Sequence, residues 1–149
     1  MDLKTFLSVL LVYRSNFHVV HWMAEGKNFF MIHSKSSEYY DQLLDDADKV
    51  AEMLLRHEDS IVNYEDALEI IKSDEHHEFF LAPANEKYDV EKFQAVSRRM
   101  FNDILVCIEE LLETDDIKNP KNVGIKASLE SMHDKYDLEM NYLLKRLKD

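Results

Sequence analysis

Two histidines and two carboxylates are the residues whose types and spacing could do chemistry in this chain. His21 and His33 lie twelve positions apart, and Asp48 and Glu52 follow His33 by fifteen and nineteen positions. Imidazole together with carboxylate is the ligand set expected for iron or another first-row metal. Because Asp48 and Glu52 are four residues apart, a helix would place them one turn apart on the same face. The pattern predicts a metal site.

Long helices must position these residues, because the chain contains few residues that interrupt a helix. Its 149 residues include only 2 Gly and 2 Pro, which favours long helices over a sheet of many strands. The apolar residues recur at helical spacing almost throughout. They predict four long helices at about residues 3–25, 30–57, 90–113 and 124–147, and a short helix near 64–72.

The lengths of the links predict how these helices are connected. Short links at about 26–29 and 114–123 join the first two and the last two helices, whereas the middle link is long and contains the short helix. We therefore expect one all-α domain, residues 1–149, folded as a four-helix bundle with a long crossover, which is the ferritin-like connectivity. Gly26 is expected to end the first helix. The stripe facing the core on the second helix is predicted to comprise Tyr40, Leu43, Leu44, Ala47, Val50, Ala51, Leu54 and Leu55.

The composition argues against several other classes of protein. The net charge of −12, from 30 acidic and 18 basic residues, disfavours binding to a phosphate backbone. The single cysteine, Cys107, excludes an internal disulfide and a cysteine-based metal cage, and its apolar neighbours predict a core residue. The apolar N-terminal run is interpreted as a first helix and not a signal peptide, and no run is long enough to span a membrane. We expect a cytoplasmic protein.

The segment HWMAEGKNFFMIH, followed later by DKVAE, resembles the signature of the Dps family, the DNA-protection-during-starvation proteins or bacterial mini-ferritins. The four candidate ligands agree with the family's spacing without a gap, and the resemblance covers about residues 13–55. The matching residues are His21, Trp22, Gly26, Phe29 or Phe30, His33, Asp48, Ala51 and Glu52.

This resemblance implies a fold, an assembly and an activity. Dps proteins form hollow dodecamers built from twofold dimers, and each iron-oxidation site lies between two subunits. Here His21 and His33 would come from one subunit, and Asp48 and Glu52 from its partner. Fe(II) would bind in a mononuclear or di-iron site, with zinc or manganese as alternative occupants. Peroxide would oxidise it, and ferric iron would be stored in the cavity, which protects against oxidative damage.

Trp22, next to a candidate ligand, has two interpretations. It packs over the iron or quenches an oxidising equivalent, or it is an aromatic residue of the subunit interface. His18 lies three residues before His21, so both could face one metal, but we favour its interpretation as an interface residue or as one that orients a ligand. His76 and His77 lie in a charged segment and are predicted to face solvent.

Three positions depart from the family's pattern and leave other hypotheses open. Met23 replaces an Asn, Met53 replaces an Arg, and Ser37 replaces a further acidic ligand. A second hypothesis is therefore a non-catalytic scaffold protein that keeps the Dps fold. A third, a DNA-condensing protein, is disfavoured by the negative charge, and direct DNA binding should be weak.

Two further acidic patterns in the second half of the chain have simple interpretations. Glu130 and His133 form one Glu-x-x-His, whereas a conventional di-iron bundle needs two such motifs and two further Glu, so we interpret it as coincidence. The acidic run at residues 109–116 is interpreted as a solvated face, or, as the resemblance to Dps proteins implies, as the lining of a pore.

Overall fold

A computed structural model describes residues 1–147. Within these residues, every secondary-structure element longer than a single β-bridge is a helix. A 3-10 turn, Pro120–Asn122, precedes the last α-helix, and a π-helical turn, Glu139–Leu143, and a 3-10 turn, Leu144–Arg146, continue it. The α-helices are α1 (Leu3–Trp22), α2 (Phe29–Glu58), α3 (Tyr64–Ser73), α4 (Val90–Leu112), α5 (Asp115–Lys118) and α6 (Val123–Leu138).

Four of these helices form the bundle. Helix α1 packs most extensively on α2 and then on α3 of the long crossover, and α4 packs on α6. The predicted four-helix bundle with a crossover helix between its second and third helices is therefore confirmed. No helix in the described part of the chain has the length and apolar character needed to cross a membrane.

The first helix ends three residues before the predicted position. The Glu25 N–H donates to the Tyr88 carbonyl at 3.0 Å, and the Tyr88 N–H donates to the Met23 carbonyl at 2.9 Å. These two bonds join the first link to the residues before α4 and take the backbone out of the helix after Trp22. Gly26 adopts a φ of 97° within this link, and not directly at the helix end as predicted.

The sequence predicted a single α-helix that continues to Leu147, but the α-helical part ends at Leu138. Its hydrogen bonding widens into a π turn over Glu139–Leu143 and tightens into a 3-10 turn over Leu144–Arg146. The Gln94 side-chain amide donates to the carbonyls of Leu144 at 2.5 Å and Leu147 at 3.2 Å. A side chain of α4 thus satisfies carbonyls that the end of a helix would leave without partners.

The apolar stripes meet in a core that contains many aromatic side chains. Tyr39 lies on the buried face of α2, with its ring 5.2 Å from that of Phe17 and 4.8 Å from that of Phe101. Cys107 is fully buried, as predicted, and burial raises the pKa of its thiol. The prediction for Leu55 was wrong, since this residue at the edge of the α2 stripe is 46% exposed.

Two polar residues on the buried side of α1 fix the end of the crossover. The Tyr13 hydroxyl donates to Asp103 Oδ2 of α4 at 2.5 Å and accepts from the Phe80 N–H at 3.0 Å. Asn16 donates to the Phe80 carbonyl at 2.8 Å and accepts from the Ala82 N–H at 3.0 Å. Backbone groups that a buried irregular segment would leave unsatisfied are thereby paired.

His77 is not in solvent as predicted, although His76 is exposed. Its Nδ1 lies 3.1 Å from Asp74 Oδ1, and its Nε2 lies 3.0 Å from both carboxylate oxygens of Glu110 on α4. Burial by itself lowers the pKa of His77, but hydrogen bonds and charge attraction from Glu110 and Asp74 outweigh burial and raise it. His77, whose protonated form these two carboxylates favour, therefore joins the crossover to α4.

This arrangement predicts a pH-dependent contribution to stability. The folded pKa of His77 lies above the unfolded value of 6.5, so its contribution is complete below that value and is lost as pH rises through the folded pKa. His77→Asn should therefore lower the free energy of unfolding more at about pH 6 than at about pH 9, as measured by urea denaturation. The exposed neighbour supplies the control, His76→Asn. A loss for His77→Asn that is equal at both pH values would contradict the charged contact.

A buried carboxylate connects α2 to α6. Asp46 is fully buried, and its Oδ2 accepts hydrogen bonds from the Tyr136 hydroxyl and, at 2.6 Å, from Lys135 Nζ. Burial and the Asp46 charge raise the pKa of Tyr136 well above its usual range, so the phenol stays a donor. Removing one partner of such a buried group costs more than the bond contributes, because the other partner stays desolvated.

Tyr136→Phe removes the hydroxyl alone and leaves the Asp46 carboxylate with one donor fewer. We expect a loss of about 1–3 kcal/mol in the free energy of unfolding, measured by urea denaturation near neutral pH. Tyr142→Phe is the matched control, because Tyr142 is 51% exposed on the same end of the bundle, and its stability should equal that of the wild type. Equal stabilities for Tyr136→Phe and the wild type would show that this contact does not hold α2 to α6.

Candidate metal centre

His21 and His33 are brought together by a reciprocal pair of hydrogen bonds. His21 Nδ1 lies 2.6 Å from the His33 carbonyl, and His33 Nδ1 lies 3.1 Å from the His21 carbonyl. The rings stack with centroids 3.7 Å apart and planes 21° apart. A carbonyl oxygen only accepts, so each Nδ1 carries the proton and donates it. In the neutral rings, both Nε2 atoms therefore keep a free lone pair, which is the form that binds a metal ion.

The ends of two antiparallel helices create this geometry. His21 lies in the last turn of α1 and His33 in the first turns of α2, so the short link brings the two backbones side by side. Phe29 stacks on the His33 ring at 5.2 Å. The Ser36 hydroxyl donates to the His33 carbonyl at 3.2 Å and more closely to the Ile32 carbonyl at 2.6 Å. The imidazole orientation is thus set mainly by backbone atoms.

Asp48 and Glu52 are not brought to the histidines of their own chain. Both are exposed on α2, a continuous helix of 30 residues, and Asp48 lies fifteen residues beyond His33. At the rise of an α-helix, this separation is about 22 Å. Within residues 1–147, no three His, Cys, Asp or Glu side chains converge closely enough to hold a metal ion. The four predicted ligands thus form two separate pairs in one chain.

The acidic pair belongs to a longer row, here called the acidic stripe. Its five members recur every three or four residues along the exposed side of α2, and Glu38 alone has a lysine partner among the described residues, Lys35 at 3.0 Å. Like charges at this spacing destabilise a helix unless cations lie nearby. The stripe comprises Glu38, Asp41, Asp45, Asp48 and Glu52.

Beside the histidines, α1 and α2 carry a second cluster that the sequence analysis missed. The His18 ring stacks on the Tyr40 ring at 3.5 Å, and Arg14 Nη2 donates to the Tyr40 hydroxyl at 2.6 Å. The pKa of His18 is lowered by burial first and then by the nearby His21 and Arg14. Trp22 lies 4.9 Å from the His18 ring and is 67% exposed. The sequence signal was the spacing of Arg14 and His18 before His21.

The three positions that depart from the Dps pattern lie in different surroundings. Met53 is buried in the core, Met23 is half-buried at the end of α1, and Ser37 is half-buried on α2. Glu38, next to Ser37, is exposed and paired with Lys35. The described side chains therefore offer no free acidic residue close after His33 on its face of the helix.

Several members of the acidic run at residues 109–116 have partners within the chain. Glu110 contacts His77, Glu109 lies 3.0 Å from His133, and Glu113 lies 3.1 Å from Lys118. His133 thus pairs across the bundle with α4, and Glu130 lies in the same cleft. Whether the run lines a pore or forms a solvated face stays a prediction.

Comparisons with known proteins extend the resemblance seen in the sequence. No family model matches the chain. Two curated relatives, the DNA protection during starvation proteins of Listeria innocua and Listeria monocytogenes, are each 37% identical over 59 residues. That match covers 37% of this chain and 38% of each relative, so it spans well under half of their length.

Solved structures match over nearly the whole chain. Dps from Staphylococcus aureus has a TM-score of 0.79 at 23% identity, covering 96% of this chain and 89% of the other. A Dps protein from Bacillus brevis has a TM-score of 0.81 at 19% identity, with coverages of 96% and 89%. The Vibrio cholerae Dps, described as a member of the ferritin-like diiron-carboxylate proteins, has a TM-score of 0.79 at 21% identity, with coverages of 96% and 84%.

The chain resembles the Dps proteins and has their fold. The sequence match carries the resemblance, and the structural matches carry the ferritin-like bundle. In this Dps-like chain, the roles of His21, His33, Asp48, Glu52 and Trp22 stay predictions.

The hydrogen bonds of the two histidines make a testable prediction about their tautomers. We expect nitrogen NMR spectra of the Dps-like chain, recorded at alkaline pH, to show Nδ1 protonated and Nε2 unprotonated for both His21 and His33. Exposed His57 is the control and should show the mixture of tautomers found in free histidine. Protonated Nε2 atoms in His21 and His33 would contradict the bonds to the two carbonyls.

Proposed function

We propose that this chain is the subunit of a Dps-like mini-ferritin. It binds Fe(II) at sites shared between two subunits, oxidises it with hydrogen peroxide, and stores ferric iron inside a hollow homo-oligomer, a dodecamer built from twofold dimers. Its cellular role would be protection against oxidative damage in the cytoplasm. Iron is here the substrate and the stored cargo.

The reciprocal hydrogen bonds of His21 and His33 carry this proposal. A histidine on a helix usually has a packing or hydrogen-bonding role, and either nitrogen can be protonated. Here the carbonyl contacts hold both stacked rings in the same tautomer and leave the Nε2 atom of each ring available as a neutral ligand. Proteins usually orient a ligand histidine by a hydrogen bond from the ring N–H that does not face the metal, often to a backbone carbonyl.

The separation along α2 supports a site shared between subunits. Since His33 and Asp48 lie about 22 Å apart on one helix, one ion cannot contact both residues of the same chain. A second copy can supply Asp48 and Glu52 to the histidine pair of the first. Two neutral imidazoles and two carboxylates would neutralise a divalent ion and leave coordination positions open for an oxidant.

The oxidation balances with hydrogen peroxide as the electron acceptor. One peroxide accepts two electrons, one from each of two Fe(II) ions, and is reduced to water with the uptake of two protons. The chain's own contribution is to hold Fe(II) with His21 and His33 and with the partner's carboxylates. Trp22, close to this site and largely exposed, would supply an apolar surface at the interface or an electron to a stray oxidising equivalent.

One observation favours the scaffold protein as the second candidate. Ser37 stands where the family has a further acidic ligand, and the neighbouring carboxylate of Glu38 forms an ion pair with Lys35. A metal-free assembly without iron oxidation would favour this candidate, and an iron-loading shell would favour the ferritin.

Replacing both histidines tests the proposed activity. His21→Ala/His33→Ala should lose rapid Fe(II) oxidation in an anaerobic titration with peroxide, because the neutral ligands are gone, while sizing shows an unchanged assembly. The matched control is His57→Ala/His76→Ala, which removes two exposed histidines and should oxidise iron like the wild type. Rapid oxidation by His21→Ala/His33→Ala would exclude this site.

A mixing experiment tests whether the site is shared. Subunits with His21→Ala/His33→Ala are unfolded and refolded together with an equal amount of subunits carrying Asp48→Asn/Glu52→Gln. If each site uses histidines from one subunit and carboxylates from the other, about one quarter of the wild-type sites should be intact, since half the dimers are mixed and each holds one complete site. A site within one chain would give no recovered activity.

A further inference from the structure

The proposed dimer that completes the metal site also requires contacts between the two subunits near its twofold axis. The structure contains two oppositely charged residues that could form such a contact. We propose that Arg14 of each subunit forms an ion pair with Asp41 of its partner subunit, so that two symmetric ion pairs lie at the twofold axis. This inference rests on the shared site proposed above. It assigns a role to the exposed face of α1 and α2 that carries Arg14 and the acidic stripe.

The direction of the twofold axis follows from the length of α2. His33 and Asp48 lie about 22 Å apart along this helix, and the partner's Asp48 must reach the level of His33. An axis parallel to the helices would leave every residue at its own level, so the partner's Asp48 would stay about 22 Å away. The axis must therefore run across the helices, and the two α2 helices must be antiparallel.

The position of the axis follows from the same pair of residues. If His33 meets the partner's Asp48, the axis crosses α2 midway between them, beside Tyr40 and Asp41. Arg14 lies at this level, because its guanidinium donates to the Tyr40 hydroxyl of its own chain at 2.6 Å. Arg14 therefore stands next to the symmetry axis.

The register across the interface leads to the same partner. Since α1 is antiparallel to its own α2, it runs parallel to the partner's α2. Arg14 lies seven residues before His21, and Asp41 lies seven residues before Asp48. Seven residues are close to two helical turns, so each charged residue lies on nearly the same face as its ligand. When His21 meets the partner's Asp48, Arg14 meets the partner's Asp41.

The charges on this face are complementary. Among the described residues, neither Arg14 nor Asp41 has an oppositely charged side chain within salt-bridge distance. Arg14 and Tyr40 line an open cleft of about 320 Å³ on the outside of α1, α2 and α3. A partner helix seated over this cleft would bring its acidic stripe against Arg14, which relieves the repulsion within the stripe.

Exposed apolar residues are distributed as this register requires. Phe30 is 81% exposed at the start of α2, and Leu55 is 46% exposed near its end. In the antiparallel pairing, Phe30 of one subunit lies about one helical turn from the partner's Leu55 along the axis of α2. The two residues would cover each other beyond the metal site, which accounts for apolar side chains that one chain leaves in water.

Charge reversal tests the proposed contact without iron. Arg14→Asp and Asp41→Arg should each raise the concentration at which the assembly dissociates by about tenfold or more, because each places like charges together at two sites. The variant with both changes restores opposite charges and should return to within about threefold of the wild type. The readout is sedimentation of metal-free protein over a dilution series, with circular dichroism to verify folding.

The control is the exposed pair Lys126→Asp and Glu130→Arg on α6, tested in the same way, for which the double variant should show no specific rescue. If the Arg14 and Asp41 single changes have no effect, or the double variant dissociates as readily as the singles, the pairing is wrong. Binding of Co(II) to the wild type is measured in parallel. Metal binding without charge rescue overturns the Arg14–Asp41 pair alone, and charge rescue without metal binding overturns the proposed function alone.

Discussion

The rigidity of α2 is the constraint on which the proposed site depends. A continuous helix of 30 residues carries His33 near its start and Asp48 and Glu52 farther along, and no bending within the bundle could bring them together. Tyr39 and Asp46 fasten this helix to the core and to α6 on its buried side. The exposed side of α2 therefore holds its residues at fixed distances, with the neutral candidate ligand His33 near one end and the acidic residues Asp48 and Glu52 toward the other.

The separation of the histidines from the acidic residues leaves most carboxylates of the acidic stripe without a cationic partner among the described residues. The acidic stripe gathers negative charge on one face of α2, whereas Arg14 and His21 lie on α1 and His33 lies near the start of α2. Each half is unfavourable or unused alone, and in the proposed dimer a second, antiparallel copy would supply the other half. In this view, metal binding and subunit association share one surface, so each would strengthen the other.

Local patterns in the sequence determined most of the fold, and non-local contacts account for what they missed. Helical spacing and scarce breakers were enough to place the bundle and its crossover helix. The contacts of His77 with Glu110, and of Tyr88 with the first link, join residues distant in sequence, so no local pattern indicated them. For the candidate site, ligand spacing indicated which residues matter, but the carbonyl partners that select the tautomer of His21 and His33 depend on how two helix ends meet.

The choice of main-chain carbonyls as partners for both imidazoles has an evolutionary consequence. A carbonyl is present whatever side chain its residue carries, so neighbouring positions can change freely while the rings keep their orientation, provided that the helices stay in place. Selection would then act on the path of the chain more than on the identity of the surroundings.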